Sequence, residues 1–225
     1  MLSVVRRAGA MVYGLAAAAL CLFAQNTLPP AARANEPGAL PPRSAPSDYP
    51  SQAQAGAITI AAEFKGHFVP TLDGTLTTED YIVVEAALFG APGAKIRLSV
   101  DDFSLRVNNK KNPLASQPYG AVAASLTDPD WEPPTPPESK NKTSFGGGGG
   151  GGGQNDPPPP PPRPPVETRR AWLARTAKVS MAEGERPLPQ AGLIFFPYRG
   201  QSKGIDSLEL IYKGPAGRVT LDLQP

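Results

Sequence analysis

Tyr81-Ile82-Val83-Val84-Glu85-Ala86-Ala87-Leu88-Phe89 is the stretch on which the reading of the fold turns. Ile82, Val84, Ala86 and Leu88 fall on one face of an extended chain, and Val83, Ala87 and Phe89 on the other. A strand apolar on both sides is covered on both sides, so it is expected at the centre of a sheet. Working outward, Gly90 to Ala94 supplies a turn. Ile96, Leu98 and Val100 then alternate with Arg97 and Ser99, and Phe103, Leu105 and Val107 alternate with Ser104 and Arg106, the period of half-buried strands. Ile58 and Ile60 open a strand on the other side, with Glu63 to Val69 as its extension or as a second strand. Asn108 to Asn112 is a polar turn, and Tyr119 to Leu126 reads as strand or packed turn.

The C-terminal third repeats the pattern. Gly192 to Tyr198, Ser207 to Tyr212 and Arg218 to Leu223 are apolar, alternating runs, and Gly214-Pro215-Ala216-Gly217 between the last two predicts a hairpin. Thr168 to Met181 places Leu173, Ala177 and Met181 four apart, which predicts a short amphipathic helix, although Thr176 and Val179 also suit a strand. About seven short strands with close turn signals predict an all-β, immunoglobulin-like sandwich with one short helix; a small barrel is the alternative.

Three segments stand outside this core. Arg6 and Arg7 precede an apolar run from Ala8 to Ala24, and Ala32-Arg33-Ala34 offers small residues at a cleavage site, so residues 1–34 read as a signal peptide. The apolar run is shorter and weaker than a membrane span requires, and Leu20 before Cys21 argues against a lipidated cysteine. Residues 35–56, rich in Pro, Ser, Ala and Gln, read as a disordered linker. Residues 57–225 form the domain, interrupted at 132–165 by a Pro-rich, Gly-run and Pro-run insertion expected to be disordered.

Cleavage, expected after Ala34 with Ala24 as the alternative, changes the chemistry available. Of 22 Lys+Arg, Arg6, Arg7 and Arg33 leave, so 19 face 20 Asp+Glu, a formal charge of −1. The basic footprint of a nucleic-acid binder is then missing. The single cysteine, Cys21, leaves as well, which excludes disulfides, thiol catalysis and Cys-bound zinc from the mature chain. Export would therefore leave the domain to packing alone for its stability.

Few residues suggest chemistry. Gly200-Gln201-Ser202-Lys203-Gly204 fits G-x-S-x-G, but a nucleophile elbow needs a helix after its serine, whereas a strand follows here, and the sole histidine, His67, lies upstream. A Gly-rich hairpin loop is the ordinary reading, and His67 is expected as a strand histidine. Asp101-Asp102 and Asp128-Pro129-Asp130 offer carboxylates without the loop spacing of a calcium site; acidic residues are common at turns. Gly150 to Asn155 matches a calcium-binding glycine repeat once, where such repeats work in arrays. Pro158 to Arg163 satisfies P-x-x-P-x-R, read as a stiff surface spacer, and the Asn141-Lys142-Thr143 sequon is assigned no role. Trp131, Trp172 and Tyr119 are expected to pack at the end of the sandwich.

Tyr81 to Phe89, Asp102-Phe103-Ser104-Leu105 with Asn109-Lys110, and Gly192 to Pro197 with Leu208 to Tyr212 together resemble the uncharacterised immunoglobulin-like domains of bacterial secreted proteins and lipoproteins. The resemblance covers most of the folding part through core patterns. It implies an extracytoplasmic binding or structural module and carries no catalytic residue, cofactor or metal. The expectation is a secreted or periplasmic, non-enzymatic module that binds another extracytoplasmic protein or an envelope component through a sheet face or the loop end near Trp131, without nucleic acid and without a membrane span. The alternatives are a hydrolase using Ser202 or a carboxylate pair such as Asp101 and Asp128, and a structural spacer.

Overall fold

The computed structural model describes residues 40–133 and 163–225. The signal peptide expected at 1–34 and the insertion from residue 134 to 162 lie outside them. The described residues form an all-β sandwich with one helix. Thirteen strands replace the expected seven or so, because short bridging strands carry too few residues to show a period. They are β1 (Ser51–Ala55), β2 (Ile58–Gly66), β3 (Phe68–Thr71), β4 (Gly74–Thr78), β5 (Tyr81–Phe89), β6 (Lys95–Leu98), β7 (Phe103–Val107), β8 (Leu114–Ala115), β9 (Leu126–Thr127), β10 (Gly184–Pro187), β11 (Gln190–Pro197), β12 (Leu208–Gly214) and β13 (Gly217–Leu223). The helix α1 runs Val166–Val179. Tyr119–Ala124, between strand and turn in sequence, is a 3-10 helix.

One sheet has the order β1-β2-β5-β11 and the other β13-β12-β7-β8, all antiparallel. Strands β2, β5 and β11 of the first sheet and β7, β12 and β13 of the second supply the side chains of a shared core. The expected central strand, β5, lies between β2 and β11. Its even-numbered side chains join Ile60, Phe196, Leu105, Leu210 and Tyr212 in the main core between the sheets. Its odd-numbered Val83 joins Leu193, Phe195, Val69, Leu76, Trp172 and Val179 in a second core, roofed by α1 and the small sheet β3-β4-β9.

The helix buries Trp172, Thr176, Ala177 and Val179. Met181 lies past its end and belongs to the main core. Thr176 is tolerated there because its hydroxyl donates to the Trp172 carbonyl at 3.0 Å.

The linker expectation for residues 35–56 is corrected from Leu40 onward. Residues 40–50 cross the outer face of the first sheet as a strap. Leu40 bridges Ala191 at the β11 edge, and β1 pairs with β2 at the opposite edge. Between them the Tyr49 side chain is buried with Ala61, Ala87 and Ala191, which are register partners across β2, β5 and β11. This row of alanines is low enough for a chain to lie over it. The strap was invisible to periodicity because two apolar residues nine apart hold it, and because β1 (SQAQA) is an edge strand with polar side chains outward.

Candidate functional site

At one end of the sandwich, a bulge between Phe64 and Gly66 ends the pairing of β2 with β5. Gly66 takes φ 63°, a left-handed conformation suited to glycine, and passes the chain to the β3-β4 ribbon. His67 stands at this crossing. On β3, Val69 points into the second core, while Phe68 on the opposite face is 58% exposed and Leu72 in the following turn is 70% exposed. Arg175 of α1 anchors that turn, donating to the Asp73 carbonyl at 2.7 Å and to Thr71 Oγ1.

The loop from Tyr198 to Ser207 lies against His67. The ring's Nδ1 is 2.9 Å from the Thr78 carbonyl oxygen and its Nε2 is 2.9 Å from the Gly200 carbonyl oxygen, while Tyr198 stacks on it with centroids 6.4 Å apart. The loop is fixed at both ends. Tyr198 N–H donates to the Asp80 carbonyl at 2.8 Å, and Asn108 spans the Gly204 carbonyl and the Asp206 amide at 2.9 and 2.8 Å. Arg199 forms an exposed ion pair with Asp80 at 2.8 Å.

Two open grooves flank this loop. One of about 620 Å³ is lined by His67, Thr77, Glu79, Gln201, Ser202 and Lys203 among others. The other, about 680 Å³, is lined by Asp80, Tyr81, Lys110, Tyr198 and Arg199 among others. Thr77 also faces Phe68 across the ribbon, so the first groove is continuous with the exposed apolar face.

Ser202 begins a 3-10 turn, Ser202–Gly204, between β11 and β12, so no helix follows it as an elbow would require. It does come near His67: a Cβ on Gly66 would lie 3.3 Å from Ser202 Oγ. Yet both imidazole nitrogens are engaged by backbone carbonyls, and neither is bonded to the serine. Of the carboxylate pair, Asp128 is held by Arg175 at 2.9 Å. Asp101 is exposed in the turn before β7, where Ser99 Oγ accepts its amide. Burial, followed by the charge of Asp101, pushes the neighbouring Asp102 carboxyl up. Among the described residues no group of three or more His, Cys, Asp and Glu converges as a metal site. Among them, too, no helix is long and apolar enough to cross a membrane.

Trp172 is buried and Trp131 packs on it edge-on, centroids 6.3 Å apart; Tyr119 packs against the same second core. Asn141-Lys142-Thr143, Gly150 to Asn155 and the proline motif up to Pro162 lie outside the described residues.

Sequence reasoning missed two features. Phe68 and Leu72 carried no mark of exposure, because alternation shows two faces without showing which is covered. A charged cluster under the strap was missed altogether. Glu63 and Glu85 are direct register partners, and Arg43 from the strap bonds both, at 3.4 Å to Glu85. Lys65 reaches them at 2.7 and 3.0 Å. Arg43 also lies over the Tyr49 ring, 4.3 Å from its centroid. Burial pushes the Glu63 carboxyl up, but hydrogen bonds from Lys65 and Arg43, with their charges, leave it below the usual carboxylate range. A glutamate inside an otherwise apolar β5 was the available signal. Comparison with family models, with curated proteins and with solved structures gave no match.

Proposed function

We propose that this chain is an exported, non-enzymatic β-sandwich that binds another extracytoplasmic protein through the loop end around Phe68. The observation that carries the reading is the outward pair Phe68 and Leu72, 58% and 70% exposed on one ribbon and continuous with the His67 groove. Burying both against a partner is worth a few kcal/mol at about 25 cal/mol per Å², and Arg199 and Lys203 on the rim add charge steering. Lettered A, B, E and G, F, C, the orders β2-β5-β11 and β13-β12-β7 follow an immunoglobulin-type sandwich and support the resemblance to such domains of secreted proteins, and the N-terminal pattern supports a cleaved signal peptide. A hydrolase reading would need a helix after Ser202, and a 3-10 turn leading into β12 stands there instead.

The test is site-specific photo-crosslinking in an exporting bacterial host, with the reactive group at position 68 or 72 and a control at exposed Arg218 on β13. The expected result is one discrete adduct from 68 and 72, absent at 218 and lost from 72 when Phe68→Glu is added. Equal crosslinking at all three positions, or none, would sink the reading.

A further inference from the structure

We infer that His67 is a proton-dependent clasp that sets whether the Arg199–Lys203 loop lies closed against the β3-β4 ribbon. The inference concerns regulation of the binding face proposed above and rests on that reading for its consequence, although the clasp itself can be tested without a partner.

The argument is the hydrogen-bond inventory of an imidazole. Both ring nitrogens lie 2.9 Å from a backbone carbonyl oxygen, Thr78 on one side and Gly200 on the other. A carbonyl oxygen only accepts, so both contacts are bonds only when both nitrogens carry hydrogen, which is the imidazolium. The neutral ring has one N–H and turns a lone pair toward the other carbonyl, so one contact must open. The Thr78 side is the stiffer, because the Thr78 amide also donates to the His67 carbonyl at 2.9 Å and the contact is half-buried. The Gly200 contact is exposed, follows the Tyr198 and Arg199 ties to Asp80, and precedes Gln201–Lys203, whose next tie to the domain is Asn108 at Gly204. Neutralisation therefore releases Gly200.

The charged groups around the ring come from each packed element. They are Glu79 and Asp80, between β4 and β5, and Arg199 and Lys203 on the loop itself, with Arg199 paired to Asp80. On β2, Lys65 is engaged by Glu63 and Glu85. Release of Gly200 moves Gln201, Ser202 and Lys203, which form one wall of the groove beside Phe68. The face is thus closed in acid and open toward neutral pH.

The chain has one histidine, so the experiment needs no assignment of the ring. Protein labelled with ¹⁵N at histidine and uniformly in a second sample is followed from about pH 5 to about pH 8, where histidine is the side chain that titrates. The expected result is a ring carrying hydrogen on both nitrogens while the loop is docked. Deprotonation should coincide with movement of the Gly200 and Gln201 amide signals and with exchange of the 200–203 amides about tenfold faster than their intrinsic pH dependence, the effect of losing one charge-assisted hydrogen bond. In His67→Gln the pH-linked change should vanish.

A singly protonated ring with the loop docked, or the same loop transition in His67→Gln, would overturn the clasp. Crosslinking at position 68 succeeds or fails independently of that result, so the two proposals fall separately.

Discussion

Gly192 of β11 lies so close to Met181 that a Cβ at position 192 would sit 2.3 Å from the Met181 Cα and 2.5 Å from its nitrogen. The contact lets the chain leaving α1 bond the free edge of β11, with Met181 N–H donating to the Leu193 carbonyl at 3.0 Å and Ser180 bridging Leu193. Leu40 and Gln117 bridge the same edge at Ala191 and Phe195, so three separate segments cover a strand that would otherwise be open to pairing. Gly192→Ala forces backbone against backbone and should cost roughly 2–3 kcal/mol, the upper range for overpacking. Urea unfolding should show a lower midpoint, and amide exchange should report the loss first at Met181.

Arg43 neutralises two glutamates that the strand register sets side by side. Arg43→Ala removes a guanidinium bonded to Glu63, to Glu85 and to the Asp48 carbonyl at 2.6 Å, and should cost about 2 kcal/mol, as for other hydrogen bonds to charged groups. Residues 40–50 should become cleavable by protease while β5 and β11 stay protected, which mass spectrometry of the fragments will show. Adding Glu85→Gln should recover part of the loss.

The same cluster predicts an acid limit. The Glu63 carboxyl is lowered from 4.5 in the folded state, so the unfolded chain binds its proton more readily. The stability it contributes is fully present above about pH 4.5 and is lost as pH falls through the folded value. Glu63→Gln should be less stable than the parent at pH 7 and should show a smaller further loss between pH 4.5 and the acid limit, measured as urea midpoints at each pH.

Asp102 has the opposite sign. Burial, then the Asp101 charge, raises its carboxyl from 3.8, so its ionised form weakens the folded state at neutral pH and acid relieves it. Asp102→Asn should raise the thermal midpoint at pH 7, with the gain shrinking as pH falls toward the folded value. A variant no more stable at pH 7 would contradict this.

Tyr212 is 1% exposed, and its ring packs on Phe103 with centroids 5.2 Å apart. Its hydroxyl is buried beneath the β12-β13 turn without a well-formed hydrogen bond, and burial pushes the phenol up. Removing a poorly satisfied polar atom costs little, so Tyr212→Phe should change stability by less than about 1 kcal/mol in either direction. Gly214→Ala should be far worse, since its Cβ would meet Tyr212 Oη at 2.3 Å and the ring behind it at 2.5 Å.

Local pattern determined much of this molecule. The central strand Tyr81–Phe89, the strand Phe103–Val107 and the terminal hairpin were legible, because alternation is a property of neighbouring residues, whereas of the spaced Leu173, Ala177 and Met181 only Ala177 is a buried helix residue. What lay beyond local pattern needed partners distant in sequence. Glu63 and Glu85 meet through strand register, Arg43 reaches them from a segment without periodicity, and Leu40 and Tyr49 are buried only because a row of alanines makes room. The G-x-S-x-G pattern likewise fixed neither a nucleophile nor its base. Tertiary structure turned both nitrogens of His67 toward carbonyl oxygens, one on its own ribbon and one from a loop more than a hundred residues away, because hydrogen-bond partners of a side chain are set by what folds against it.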